Sequence, residues 1–256
     1  MFTTDIAAVS TSAANKAEVC NKQFGKYLLR SIMAGFYIVV ATILSNVSAA
    51  VLFQTEAYRP FAKLLGALLF SIAIVLIVFI GGELFTGNNM TMAIGVYNRS
   101  VKVIDLIKVW IISYVGNFIG AFIFSSIFVF SNSQKSIMID YYNSFMDGKL
   151  GATPLELLLR GILCNFMVCL AVWTGTRMKS ESGKLIVMFC VIMTFVVSGF
   201  EHCIANMGTF SIGCLYGIEA MDAALIAKSM FFVTIGNILG GAVLLALPLK
   251  LMSGDK

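Results

Sequence analysis

The chain has 256 residues, of which 59% are hydrophobic and 12% charged, with a net charge of +5 and a mean hydropathy of +0.92. An ordinary soluble domain is about 45–50% apolar and about 25% charged, so one soluble core cannot absorb this much apolar surface. The same figures exclude a disordered chain, a nucleic-acid binder and a disulfide-stapled secreted domain, and leave a multi-pass membrane protein.

Residues 1–26 form a polar arm carrying Lys16, Lys22 and Lys26. Its apolar region starts too late for a cleavable signal peptide, so it reads as a short cytoplasmic arm, an amphipathic helix on the membrane surface. Apolar runs follow at about 27–53, 61–82, 106–131, 155–178, 184–200 and 223–249. At roughly 20 residues per crossing these are six spans, the fifth of marginal length, within one transmembrane domain over residues 27–250. Six spans place both termini on one side. On that side fall Lys16, Lys22, Lys26, Arg30, Arg99, Lys102, Lys108, Arg177, Lys179, Lys184, Lys250 and Lys256. The other side holds half as many: Arg59, Lys63, Lys135, Lys149, Arg160 and Lys228. The positive-inside rule therefore puts both termini in the cytoplasm. The stretch between the third and fourth runs reads as an external loop, and Lys149, ahead of Gly151 and Pro154, as a solvated loop lysine. The six cysteines, Cys20, Cys164, Cys169, Cys190, Cys203 and Cys214, form no Cys-x-x-Cys pair and read as small buried hydrophobes, so no metal site, disulfide framework or cofactor is expected.

The chain repeats itself. Leu28-Leu29-Arg30 through Phe36 returns as Leu158-Leu159-Arg160 through Phe166. Gly82-Glu83 with Asn88 returns as Phe200-Glu201 with Asn206. Gly116-Asn117 with Gly120 returns as Gly236-Asn237 with Gly240. The offsets are nearly equal, so the halves are about 27–131 and 155–249. Each holds an odd number of spans, and the second must enter from the opposite face. This is an inverted repeat, a design that places its site at the pseudo-twofold axis near mid-membrane, between interrupted helices. The paired glycines, four residues apart, allow close helix packing.

Two interruptions are visible. The second span stops at Gly81-Gly82-Glu83-Leu84-Phe85-Thr86-Gly87-Asn88-Asn89, and the fifth at Ser198-Gly199-Phe200-Glu201-His202. Loose backbone at membrane depth is tolerated only against protein or a water-filled path. Glu83, Glu201 and His202 are the ionisable groups there, and such groups are functional candidates. The glutamates occupy equivalent repeat positions, so each reads first as support for the backbone of its own break. His202, the sole histidine, has Leu84 as its repeat mate, so the scaffold does not require it. Either a backbone carbonyl satisfies it, or it exchanges a proton near neutral pH. Thr86 supplies a hydroxyl at the first break. Asn165 stands where the first half has Gly35, and a bare amide in an apolar run must face protein or a pore.

Gly82-Glu-Leu-Phe-Thr-Gly87, Cys164-Asn-Phe-Met-Val-Cys-Leu-Ala-Val-Trp173, Ser198-Gly-Phe-Glu-His202 with Ala205-Asn-Met207, and Gly236-Asn237 together resemble the formate/nitrite transporter family, over nearly the whole chain. The resemblance implies an all-α, aquaporin-like protomer with broken helices 2 and 5, five protomers in a ring in the bilayer of a bacterial cytoplasmic membrane, and one pore per protomer. It implies His202, Thr86, Asn165 and Lys149 as polar pore residues and Leu84, Phe195, Phe70 and Ile74 as apolar constrictions. Glu83, Glu201, Asn88 and Asn206 would support the breaks. The implied substrates are small monovalent anions such as formate, nitrite and hydrosulfide, and the overall look is nearest to the nitrite and hydrosulfide branches. His202 would pass a proton to the anion, which then crosses a constriction as the neutral acid. No enzyme activity is expected. A neutral-solute channel for water or ammonia, although Ala205-Asn206-Met207 lacks the aquaporin proline, and a proton-coupled carrier both stay open.

Overall fold

In the computed structural model, residues 2–254 are described, and Lys256 of the expected cytoplasmic set lies outside them. Among the described residues there are helices and turns but no strand. In chain order the helices are α1 (Phe2–Lys22), α2 (Phe24–Phe53), α3 (Arg59–Phe70), α4 (Ile72–Val75), α5 (Phe85–Tyr97), α6 (Val103–Phe130), α7 (Lys135–Leu150), α8 (Pro154–Arg177), α9 (Glu181–Val197), α10 (Cys203–Tyr216), α11 (Ala223–Ile238) and α12 (Leu247–Met252). Two π-helical stretches, Leu76–Gly81 and Leu239–Ala246, extend α4 and join α11 to α12. The segments Phe24–Phe53, Glu56–Gly81, Val103–Phe130, Pro154–Arg177 and Ala223–Met252 are long and apolar enough to cross a bilayer. The sixth crossing is α9, which has only 17 residues. Spans two and five stop at the expected interruptions, and the chain resumes as two half-helices, α5 and α10.

The inverted repeat is written in hydrogen bonds. At the first break Gly82 N–H donates to Ile77 O at 3.0 Å and Glu83 N–H to Arg30 O at 3.2 Å. At the second, Phe200 N–H donates to Phe195 O at 3.0 Å and Glu201 N–H to Arg160 O at 3.3 Å. Every atom in one set is the repeat mate of an atom in the other. Gly81 and Gly199, also mates, carry φ of 95° and 73°, a left-handed conformation that glycine adopts without a side-chain clash.

The halves also pack alike. Where α2 crosses α6, a Cβ on Gly120 would fall on Ile32 O; where α8 crosses the π-helical stretch that follows α11, a Cβ on Gly240 would fall on Ile162 O. Both neighbours are backbone and cannot swing aside. Gly240→Ala is therefore expected to destabilise the protein by about 1–3 kcal/mol through overpacking, read as a lower melting temperature in detergent. An unchanged melt would show that the crossing has slack.

Two segments depart from the sequence reading. The N-terminal arm does not spend its apolar stripe on lipid. Ile6, Val9, Ala13, Ala17 and Cys20 recur at helical spacing and are buried against protein, the first part against Met90, Ile94 and Leu249 and the second against Met92 and Val109. The supposed external loop contains the 16-residue α7, whose Met138, Tyr142, Met146 and Leu150 lie one per turn and are fully buried. Both helices lead directly into the first span of a half. The repeat unit is thus larger than the apolar runs suggest, and it begins with an amphipathic helix.

Candidate permeation pathway

Leu84 and His202 stand in extended backbone immediately before α5 and α10, as their N-caps. Both side chains line the same small chamber, together with Ile38, Phe70, Ile74, Ile77, Val168, Ile192 and Phe195. The two half-helices therefore point their N-termini at one place from opposite sides. Each N-terminus carries about half a positive charge from aligned peptide dipoles, so the chamber favours an anion. The chamber is only about 10 Å³, room for about one water.

A larger cavity opens at each end. The near one, beside α1, is about 460 Å³ and is lined by Lys16, Arg30, Glu83 and Leu84. The far one, beneath α7, is about 500 Å³ and is lined by Lys149, Arg160, Glu201 and His202. Phe70 and Phe195 border both the far cavity and the chamber, with ring centroids 6.0 Å apart in an edge contact. Leu84 and Ile77 border both the near cavity and the chamber. Of the expected constrictions, Phe70, Phe195 and Leu84 thus stand at the two ends of the chamber, and Ile74 lies inside it. Ile77 was not anticipated, although it is the repeat mate of Phe195 and could have been found by that correspondence.

Lys149 belongs to a helix, not a loop, and its side chain is 19% exposed. Its ammonium lies 2.6 Å from Glu201 Oε2, which also accepts from Asn206 Nδ2 at 2.8 Å. The near cavity mirrors this arrangement: Glu83 Oε2 accepts from Lys16 at 2.5 Å, Tyr27 OH at 3.0 Å and Asn88 Nδ2 at 3.3 Å. The glutamates are held by lysine and asparagine side chains. The loose backbone of the breaks is supported by two other residues, Asn117 and Asn237. Asn117 Oδ1 accepts from Phe85 N–H at 2.9 Å while its Nδ2 donates to Ser31 O and Glu83 O at 2.7 and 3.0 Å. Asn237 repeats the pattern on Cys203 N–H, Gly161 O and Glu201 O, each at 2.9 Å. The sequence displayed both asparagines as repeat mates. What it could not show is that they reach across from a third helix. Lys16 was likewise visible only as a charge that sets orientation.

His202 breaks the symmetry. Its Nδ1 accepts from Ala205 N–H at 3.1 Å and caps α10. A neutral ring with Nδ1 as acceptor carries its proton on Nε2. Nε2 lies 3.0 Å from Thr86 Oγ1, so Nε2–H donates to the Thr86 oxygen and leaves the hydroxyl proton of Thr86 available. A second ring proton would sit on Nδ1, facing the Ala205 N–H, and would cost α10 its cap. The His202 ring also stacks on Phe195, 6.0 Å between centroids.

Thr86 and Asn165 are fully buried, and neither borders any of the three cavities. Asn165 Nδ2 lies 2.6 Å from Asn237 O, 3.0 Å from Asn89 Oδ1 and 3.2 Å from Thr86 O. Its amide fastens the start of α5 to α8 and to the end of α11. Its bulk is accommodated on the facing helix, because Gly241 leaves the space where a Cβ would come within 2.7 Å of that amide. In the other half the small and large positions are exchanged, with Gly35 facing Ala121.

The family model for the formate/nitrite transporter matches residues 4–251. The chain belongs to the formate/nitrite transporter family. It is 31% identical over 250 residues to the nitrite transporter NirC of Escherichia coli, covering 96% of this chain and 91% of that protein. Among solved structures it is similar to an FNT family ion channel, with a TM-score of 0.88, 26% identity and coverage of 98% and 99% of the two chains. It is also similar to a pentameric formate channel with formate bound, with a TM-score of 0.75, 29% identity and coverage of 91% and 99%. The family and these neighbours are transporters and channels, not enzymes, and the fold is the aquaporin-like channel fold with two broken helices.

Proposed function

We propose that this protein is a channel for small monovalent anions of weak acids, of the hydrosulfide, nitrite and formate type, with a path running from the far cavity through the chamber to the near one. The observation that carries this reading is the convergence of two half-helix N-termini on an apolar chamber, with a lysine at either end. Lys149 and Lys16 attract the anion into a vestibule, and their glutamates keep each ammonium in place. The chamber is too small for an ion as it stands, so Phe70 and Phe195 on one side and Leu84 and Ile77 on the other must swing for each passage. Between them His202 borders the chamber, and Thr86, buried behind the ring, accepts its Nε2–H and holds it in place. Asn165 acts by holding the carbonyl of Thr86. A cation meets two positive helix ends at the chamber and is repelled. The same features disfavour a water channel, which has no need of charge at its mouths, and osmotic swelling of liposomes separates the two.

The pentameric formate channel to which the chain is similar supports a homopentamer in the lipid bilayer. The distribution of lysine and arginine supports cytoplasmic termini, which makes the vestibule under α7 the outer one.

In this reading His202 caps α10 as a neutral ring. The pH dependence of flux then belongs to the permeant, which loses its charge as pH falls towards its own acid constant and crosses the apolar constrictions more easily. The decisive variant is His202→Asn. Asparagine is a preferred N-cap, donates through its amide and cannot titrate, so flux in proteoliposomes should stay within about threefold of wild type with an unshifted pH profile. A profile that flattens in the variant would show instead that His202 takes up a proton during transport. Potassium permeation exceeding that of nitrite or hydrosulfide would overturn the anion assignment itself.

A further inference from the structure

We propose that the far vestibule is also a binding site for aromatic carboxylates, which lodge at the mouth and are too bulky to go further. The inference uses the channel reading only for its consequence, inhibition of flux. The far cavity is about 500 Å³ and opens onto a chamber of about 10 Å³, so it has the size of a small-molecule site rather than of a monovalent ion. One wall is aromatic. Phe53 meets Tyr141 edge-on with centroids 5.7 Å apart, and Tyr141 meets Phe145 at 5.0 Å. Cations line the same cavity: Arg59, Lys63 and Arg160. Arg59 is already oriented, its guanidinium over the Phe53 ring at 4.9 Å and its Nε donating to Phe53 O at 2.9 Å. Lys149 is engaged by Glu201, the acid of the cavity lining, and Arg160 by Glu156 at 3.7 Å, so Arg59 and Lys63 are the cations that face a ligand.

The near vestibule supplies the contrast. It is almost as large, about 460 Å³, and among the described residues no aromatic side chain lines it. Passage of a small anion needs charge at both mouths, which both have. It does not need an aromatic wall, which only the far one has. A flat apolar body stacked on Tyr141 and Phe145, with one carboxylate reaching Lys63 or Arg59, uses both features at once.

The probe is 2-naphthoate, with the uncharged 2-naphthalenemethanol as its control. Equilibrium dialysis against the detergent-solubilised protein should show saturable naphthoate binding, with the alcohol about tenfold weaker. Phe145→Ala should weaken naphthoate about threefold to tenfold while leaving uninhibited flux unchanged. Lys63→Gln should weaken it about three- to fivefold, and less at high salt. In proteoliposomes, naphthoate added on the α7 side should inhibit anion flux, and naphthoate on the α1 side should not. Equal binding of acid and alcohol, affinity unmoved by both variants, or inhibition from the α1 side alone would overturn the site. If wild-type protein carries no anion flux, the channel reading falls, and the dialysis arm still decides the binding site.

Discussion

Asn237→Leu is expected to remove the folded channel rather than slow it. One side-chain amide closes the second break: its oxygen receives the Cys203 N–H that opens α10, and its nitrogen serves Gly161 O and Glu201 O, each at 2.9 Å. Asn237 is fully buried, so no water replaces it. Leucine has nearly the same volume and makes none of these bonds. Each of the three backbone groups then loses its Asn237 partner in a dry interior, at about 1–3 kcal/mol for each group left unpaired. Asn237→Asp is the informative companion, because it keeps the acceptor for Cys203 N–H and loses the donor. It should fall between wild type and the leucine variant. Asn117→Leu should behave alike, since Asn117 plays the same part at the first break. The measurement is thermal unfolding of the purified protein in detergent, with yield as a second readout. For a chain of this size about 1 kcal/mol corresponds to a shift of about 2–4 °C. A leucine variant melting within that interval of wild type would mean that the break holds itself together without the asparagine.

The second large effect concerns Lys149. Lys149→Met should lower anion flux by about tenfold or more if, as proposed, its charge offsets desolvation at the mouth beneath α7. It should also destabilise the protein, because Glu201 is 6% exposed and keeps only the Asn206 amide. Removing one partner of a buried pair costs about 3–5 kcal/mol, since the other charge stays behind uncompensated. The two consequences separate in the double variant. Lys149→Met with Glu201→Gln leaves no buried charge, so the melting temperature should recover while flux stays low. Recovery of flux together with stability would show that the lysine matters only as a counter-ion to Glu201. Glu201→Gln alone keeps the ammonium and should keep the flux.

The near vestibule offers the same experiment in mirror image, since Lys16 meets Glu83 as Lys149 meets Glu201. These two ion pairs are equivalent in space although their lysines come from α1 and α7, the least apolar helices of the chain. That is why the second lysine reads on inspection as a loop residue and the first as a topology marker. An apolar run announces itself by composition, whereas an amphipathic helix laid on a protein surface does so only through its period.

Much of the architecture follows from the sequence by itself. Six apolar runs, two of them stopped by glycine, asparagine and glutamate, determine the spans and the broken helices. Three motifs at a near-constant offset determine the inversion, because a half with an odd number of spans must enter from the other face. His202 stands out by being alone and by lacking a counterpart. Contacts between elements distant in the chain were decided only by the tertiary structure. Asn117 and Asn237 reach the breaks from a third helix. Asn165, expected in the pore, spends its amide on Thr86 O, Asn89 and Asn237 O, which lie 72 or more residues away along the chain. The protonation state of His202 was open in the sequence, where a solitary histidine allows either a donor or a titrating base. The folded chain places Ala205 N–H against Nδ1, which makes Nδ1 the acceptor of a neutral ring. Composition and period fix where a chain crosses a membrane, because water and lipid sort side chains one by one. The orientation of a proton at a pore depends on which group of another element stands opposite, and only the folded chain holds that information.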